Sequence, residues 1–412
     1  MIILQSIFGI LSILLIAYLF SETKKAIVFK SILIALAIHL ILAIMFLNLP
    51  IFKDFFMMLN KLVLVLETAT TAGTSFVFGY LGGGAAPFEV TNQSSMFILT
   101  FKALPLVLIM SVISYLLYYY RILPFIVKIF SFLLEKTLKI RGATGVSVAA
   151  NAFVGMVEAP LLIKPYIKDM TRGELFSVMV AGMSTIAGSV MLLYAAIIGS
   201  TIPNAMGHIL IASVLNVISS LIISMIMIPH NSDKQQNKIT FPKMADSPMD
   251  AIIKGTSDGV KLLVNIIAIL IVFIALVNLI NQIIQPLSLQ GILGVIMAPL
   301  AFLMGIPISE IMTAGSLMGT KVILNSLIAY IDLLNLPADA LQETSELIMI
   351  YAMCGFANIG SLGIMVGGMT TIAPEKRSEI ISLGMKSVFA GLLATSFTAA
   401  VVGLMLRIKI II

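Results

Sequence analysis

Apolar residues run along this chain in long blocks, and several blocks reach the ~20 residues that a helix needs to cross a hydrocarbon core of about 30 Å. Residues 1–20 and 26–47 read as two simple spans and 95–119 as a third. Between them, 48–93 is mixed, with the glycine cluster Gly82, Gly83 and Gly84 and the lone acids Glu67 and Glu89. From 121 to 139 the pattern turns amphipathic, with Arg121, Lys128, Glu135, Lys136 and Lys139 among large apolar residues, as in a helix lying in the interface. Residues 174–198 form a span interrupted by Ser184, Thr185, Gly188 and Ser189, and 208–228 a cleaner one. After a polar, solvent-exposed loop at 230–247 come a second interfacial helix at 250–261 and a span at 262–284. A shorter apolar run at 290–304 has no assigned crossing, and a last span occupies 382–406. The expectation is an all-α polytopic membrane protein with about eight transmembrane helices, interfacial helices and two re-entrant helical hairpins.

The re-entrant segments come from places where the apolar pattern fails. Residues 141–168 hold Asn151, Gly155, Glu158 and Pro160; 308–332 hold Gly315, Ser316, Gly319, Thr320, Lys321 and Asn325; 347–371 hold Asn358, Ser361 and a series of glycines. Broken backbone survives at membrane depth only where protein or a water-filled cavity satisfies its peptide groups, so breaks of this kind imply a site. Each half of the chain then contains an interfacial helix, a broken segment and a polar-interrupted span, the layout of an inverted-repeat transport core. The division expected is 1–120 as N-terminal transmembrane helices forming a scaffold, 121–228 as the first half of the core, 229–250 as a polar loop and 251–412 as the second half.

Composition supports the bilayer as solvent: 60% of the 412 residues are hydrophobic and 11% charged, against about a quarter charged in soluble domains. The net charge of +6 does not point to nucleic acid, because the Lys and Arg residues gather in short segments between spans. Lys24, Lys25 and Lys30 place the first loop in the cytoplasm and the N-terminus outside. Residues 1–20 lack a basic start and a cleavage site, so they read as a retained span rather than a signal peptide. A multi-pass protein of the cell inner membrane is expected. The single cysteine, Cys354, excludes an intrachain disulfide, and His39, His208 and His230 are too scattered for a histidine metal site or proton relay. No phosphate-binding loop, activated Ser-His pair, paired-Asp motif or zinc motif is present, which argues against an ATP-driven pump and an intramembrane hydrolase.

Glu158 is the sharpest chemical signal, since an intramembrane acid costs several kcal/mol unless it is paired or solvated in a cavity. It either contacts a ligand or ion, or forms a salt bridge with Lys164 or Lys321. Asn151, Asn325 and Asn358 each sit in one broken segment, where an amide serves a polar solute or caps freed backbone. Thr185, Ile186, Val154 and Asn151 have side-chain oxygens or freed carbonyls suited to a bare monovalent cation.

These residues carry a resemblance. Val154-Gly155-Met156-Val157-Glu158-Ala159-Pro160 is similar to the first hairpin of the concentrative nucleoside transporters, whose pattern reads Gly-Gln-Thr-Glu-Ala-Pro. Gly315-Ser316-Leu317-Met318-Gly319-Thr320-Lys321 with Asn325 resembles that family's broken seventh helix, and Cys354-Gly355-Phe356-Ala357-Asn358-Ile359-Gly360-Ser361 its second hairpin. The match runs over about 96–403. It implies a homotrimer with scaffold and moving parts, an elevator-like cycle, and uptake driven by sodium or, in some members, protons, with no other cofactor. It implies solute contacts at Gly155, Met156, Val157, Glu158, Asn325, Ser326, Phe356, Asn358 and Ser361, and a sodium site at Asn151, Val154, Thr185 and Ile186.

The sequence departs from the family at three of these positions. Gln-Thr before the hairpin acid is Met156-Val157, and the Glu after the seventh-helix Asn is Ser326. A hydrogen bond lost from a buried substrate group costs about 1–3 kcal/mol. The expected solute is therefore a nucleoside, or else a modified nucleoside, a nucleobase or another small polar molecule. A non-concentrative channel or a binding protein is the further alternative, and saturable accumulation separates it from a symporter.

Overall fold

A computed structural model describes residues 2–91, 96, 98–138, 140, 142–199, 201–229, 241 and 243–411. Most of the polar loop predicted at 230–247, with His230, lies outside the described residues, as do Ser95, Lys139 and Arg141 at the ends of predicted segments.

The described chain is helical, with α1 Ile2–Leu19, α2 Phe29–Asn48, α3 Pro50–Phe78, α4 Leu106–Tyr119, α5 Ile122–Leu138 and α6 Gly142–Ala150. Then come α7 Arg172–Ser184, α8 Gly188–Ile198, α9 Ala205–Met227, α10 Pro248–Ile283 and α11 Leu289–Leu303. The last five are α12 Ile311–Ile323, α13 Ser326–Leu334, α14 Glu343–Met353, α15 Ile359–Ile372 and α16 Arg377–Ile411. Seven helical segments among the described residues are long and apolar enough to cross a membrane. The run at 290–304 is α11, whose 15 residues fall short of a full crossing.

Three elements differ from the sequence reading. The mixed segment 48–93 contains the 29-residue helix α3, begun by Pro50 at its first position and ended at Gly79, where φ is +60°. The third span is split, with a helical turn at Leu99–Lys102 before α4. The predicted interfacial helix 250–261 and span 262–284 are one 36-residue helix, α10. Ser247 caps its start by accepting from the Asp250 amide at 3.1 Å, and no proline interrupts it downstream.

Gly255 and Gly259, four residues apart on α10, let the α4 backbone approach closely. A Cβ on Gly255 would stand 2.7 Å from the Val112 Cα, and one on Gly259 3.0 Å from the Leu108 Cα. α4 and α10 thus form one tight pair. The first two helices pack on α9 and α16. The central layer is α9, 94% buried over its span, with α16 and the α7–α8 pair, whereas α10 is 11% buried and peripheral.

Hydrogen bonds stitch the central layer where apolar packing alone supplies little specificity in lipid. Ser177 on α7 meets Ser224 on α9 at 2.9 Å, and Thr398 on α16 donates to Ser219 on α9 at 3.0 Å. His39 on α2 joins Thr398 at 3.3 Å, a packing role for one of the three histidines. In the α1–α2 loop Glu22 pairs with Arg172 at 3.0 Å and with Lys386, tying that loop to α7 and α16.

Candidate functional site

The helical pattern is interrupted at four places, and the breaks converge. After α6 the backbone unwinds over 151–157 and resumes as the short turns Glu158–Leu161 and Lys164–Ile167. α7 and α8 are separated at Thr185–Ala187, α12 and α13 at Leu324–Asn325, and α14 and α15 at Cys354–Asn358. Peptide groups freed at one break are satisfied at another. Gly188 N donates to Phe153 C=O at 3.0 Å, and Phe356 N to Thr185 C=O at 3.2 Å. Ser326 Oγ donates to Gly355 C=O at 2.8 Å, and Asn216 Nδ2 to Cys354 C=O at 2.6 Å.

The breaks border an open-mouthed cavity of about 190 Å³, with Glu158 partly exposed at it. Glu158 is its one charged lining residue, and Asn325, Asn358, Ser361, Ser189 and Tyr194 supply the other polar side chains. That volume lies below the ~300 Å³ from which drug-sized ligand pockets begin, so the space suits a small solute. The Glu158 carboxyl lies against Gly155: a Cβ there would stand 3.0 Å from the carboxyl carbon.

Of the nine residues expected at the solute, eight line this cavity: Gly155, Met156, Val157, Glu158, Asn325, Phe356, Asn358 and Ser361. Ser326 does not; it is fully buried behind the cavity, its hydroxyl spent on Gly355. Asn325 and Asn358 also cap helices, Oδ1 accepting from Ile328 N at 3.0 Å and from Ser361 N at 2.7 Å. Capping leaves the amide nitrogens over, and Asn358 Nδ2 is buried with no hydrogen-bond partner. The salt bridge between Glu158 and Lys321 does not form, because Lys321 turns away to Ala352 C=O and Thr395.

The expected cation residues lie at two of these breaks, which the Gly188–Phe153 hydrogen bond joins. Asn151 is fully buried, its Nδ2 held by Ser147 C=O at 3.0 Å and its Oδ1 without a partner. Thr185 Oγ1 donates to Ala181 C=O at 2.8 Å, which leaves its lone pairs free. These oxygens, with the carbonyls of Val154 and Ile186 at the same two breaks, are the hard donors that a bare alkali cation takes. Among the described residues no three His, Cys, Asp or Glu side chains gather to hold a metal ion.

Sequence reasoning missed one wall. Leu262, Ile266, Ile269 and Phe273 of α10 close the cavity, with Leu193 and Tyr194 of α8. Tyr194 also stacks edge-on with Tyr330 at 5.1 Å and lies within hydrogen-bonding reach of Ser326. Apolar residues on an ordinary span carry no local mark of facing a site, and Tyr194 alone had a polar tip to betray it.

Comparison with known proteins agrees with this architecture. Residues 8–81 match the profile described as the Na+ dependent nucleoside transporter N-terminus and 208–403 that of its C-terminus, while 100–201 match one described as nucleoside recognition. The chain is 35% identical to an uncharacterized transporter of Haemophilus influenzae, over 98% of this chain and 97% of that one. It is 32% identical to the nucleoside permease NupC of Helicobacter pylori, over 98% of each. The solved structure of CNTnw in an inward-facing substrate-bound state superposes with a TM-score of 0.91 at 32% identity, covering 99% of both chains. The protein is a multi-pass membrane protein and belongs to the concentrative, Na+ dependent nucleoside transporter family.

Proposed function

We propose that the protein is a symporter that takes up a nucleoside or a close relative together with sodium, in the 190 Å³ cavity among the four helix breaks. The observation that carries this reading is Glu158, a single carboxylate in an otherwise uncharged cavity beside two half-used amides. The carboxylate accepts from the donor edge of a base, and the Phe356 ring packs on its face. The amide nitrogens of Asn325 and Asn358 and the Ser361 hydroxyl serve the hydroxyls of a sugar. Met156 and Val157 replace hydrogen bonds with apolar contact, which favours a base or sugar with fewer polar groups, a modified nucleoside or nucleobase included.

Coupling follows from chain connectivity. Asn151 and Val154, which would hold the cation with Thr185 and Ile186, lie on the unwound stretch that ends at Glu158. A sodium ion that orders this stretch sets the backbone presenting the carboxylate, so each ligand raises the affinity for the other. The α10 wall is apolar, and in this reading the part carrying the cavity moves along it in an elevator-type cycle. The working unit in this reading is a homotrimer.

The test is thermal stabilisation of the purified protein by nucleosides, deoxynucleosides, modified nucleosides and nucleobases, each in sodium or choline at two fixed pH values. A shift with one class that requires sodium supports the reading, and Asn151→Ala should abolish the sodium-dependent shift. A shift that follows pH and ignores sodium assigns the coupling to a proton. No shift with any of these compounds moves the solute outside nucleosides and overturns the proposal.

A further inference from the structure

Lys321 is fully buried in the helix bundle. It lies in the last turn of α12, where Nζ donates to Ala352 C=O at 2.6 Å and to Thr395 Oγ1 at 3.0 Å. Thr395 Oγ1 gives its own proton to Leu392 C=O at 3.1 Å, so it presents lone pairs to the ammonium. None of the ion pairs among the described residues includes Lys321. An ammonium buried without a carboxylate survives only where fixed dipoles replace its water.

Those dipoles are helix ends. α12 ends at Ile323 and α14 at Met353, so the ammonium sits where two C-terminal, carbonyl-rich ends come together. The first half of the core repeats the arrangement with α6, ending at Ala150, and α7, ending at Ser184. There Asn151 Oδ1 is buried without a donor, 3.7 Å from where a Cβ on Gly182 would stand. One convergence of helix ends presents an unpartnered oxygen, and the other is filled by a side chain of the protein itself.

We propose that the Lys321 ammonium is a built-in cation, standing in the second half of the core where a coupling ion stands in the first. The protein therefore binds one sodium ion per chain, and its second convergence of helix ends is occupied by its own side chain. This rests on reading Asn151, Val154, Thr185 and Ile186 as the ion site.

Equilibrium binding of radioactive sodium to the wild-type protein should saturate at about one ion per chain, and saturation at about two overturns the proposal. Lys321→Ala opens the ammonium's place. Methylammonium should raise its melting temperature by about 2 °C or more, with little effect on wild type, while tetramethylammonium at equal ionic strength should not. No response of Lys321→Ala to methylammonium overturns the proposal, because a lysine that merely fills space leaves no cation site behind. If Lys321→Ala does not fold, the wild-type sodium count decides. Absence of sodium binding to wild type sinks the Asn151 site instead, and the methylammonium response then decides the role of Lys321 alone.

Discussion

Ser326 and Gly355 face each other across two helix breaks, Ser326 Oγ donating to Gly355 C=O at 2.8 Å with both groups closed to solvent. The bond fixes the start of α13 against the gap between α14 and α15, which is one edge of the cavity. Ser326→Ala leaves a buried carbonyl unpaired and should cost about 1–3 kcal/mol of stability, read as a lowered melting temperature in detergent. Ser326→Glu, which restores the family's acid, forces a carboxylate toward that carbonyl and should destabilise more. A Ser326→Glu protein as stable as wild type, with a gain in ribonucleoside affinity, would show that the position reaches solute after all.

Met156 and Val157 line the cavity beside Glu158. Replacing them with Gln and Thr together restores two hydrogen-bonding groups and should strengthen binding of an unmodified nucleoside by about tenfold per recovered bond. Isothermal titration of both proteins with uridine checks this; equal affinity means that the two side chains do not touch the base.

Glu22 gives a pH prediction outside the membrane. Its hydrogen bond from Arg172, and then that from Lys386, hold the carboxyl down to about 2 from an ordinary 4.5. A carboxylate depressed in the folded state adds stability that is present above its unfolded value and disappears as the pH falls through the folded one. Stability should therefore decline between about pH 4.5 and 2, and Glu22→Gln should remove that part of the decline. The partners are over a third exposed, so screening limits the effect to about 1 kcal/mol. Melting curves of both proteins across this range provide the check.

Gly255 on α10 touches the α4 backbone, and a Cβ there must displace main chain rather than a flexible side chain. Gly255→Val should cost about 1–3 kcal/mol or split the helix pair, seen as lost thermal stability and a broadened elution profile. Gly73 on α3 has nothing within 4 Å of its added Cβ, so Gly73→Ala should be neutral or stabilise by up to about 1 kcal/mol. Equal losses at the two glycines would show that the α4–α10 approach carries no special weight.

The amino-acid sequence by itself determined the solvent, the helical class and the places where helices break. Asn151, Glu158, Asn325 and Asn358 were legible because polar and small residues inside apolar runs violate a strong local rule of the bilayer. What depends on distant partners was not legible. The continuity of α10 through Lys261 followed from its packing on α4, and Leu262, Ile266 and Phe273 became a cavity wall only when the breaks met opposite them. Lys321 was visible as an intramembrane charge, but its acceptors Ala352 and Thr395 lie 31 and 74 residues away. The direction of Ser326, likewise, was settled by a carbonyl 29 residues downstream. Hydropathy is a property of each segment, whereas which oxygen stands opposite a buried donor is decided only when separate segments pack.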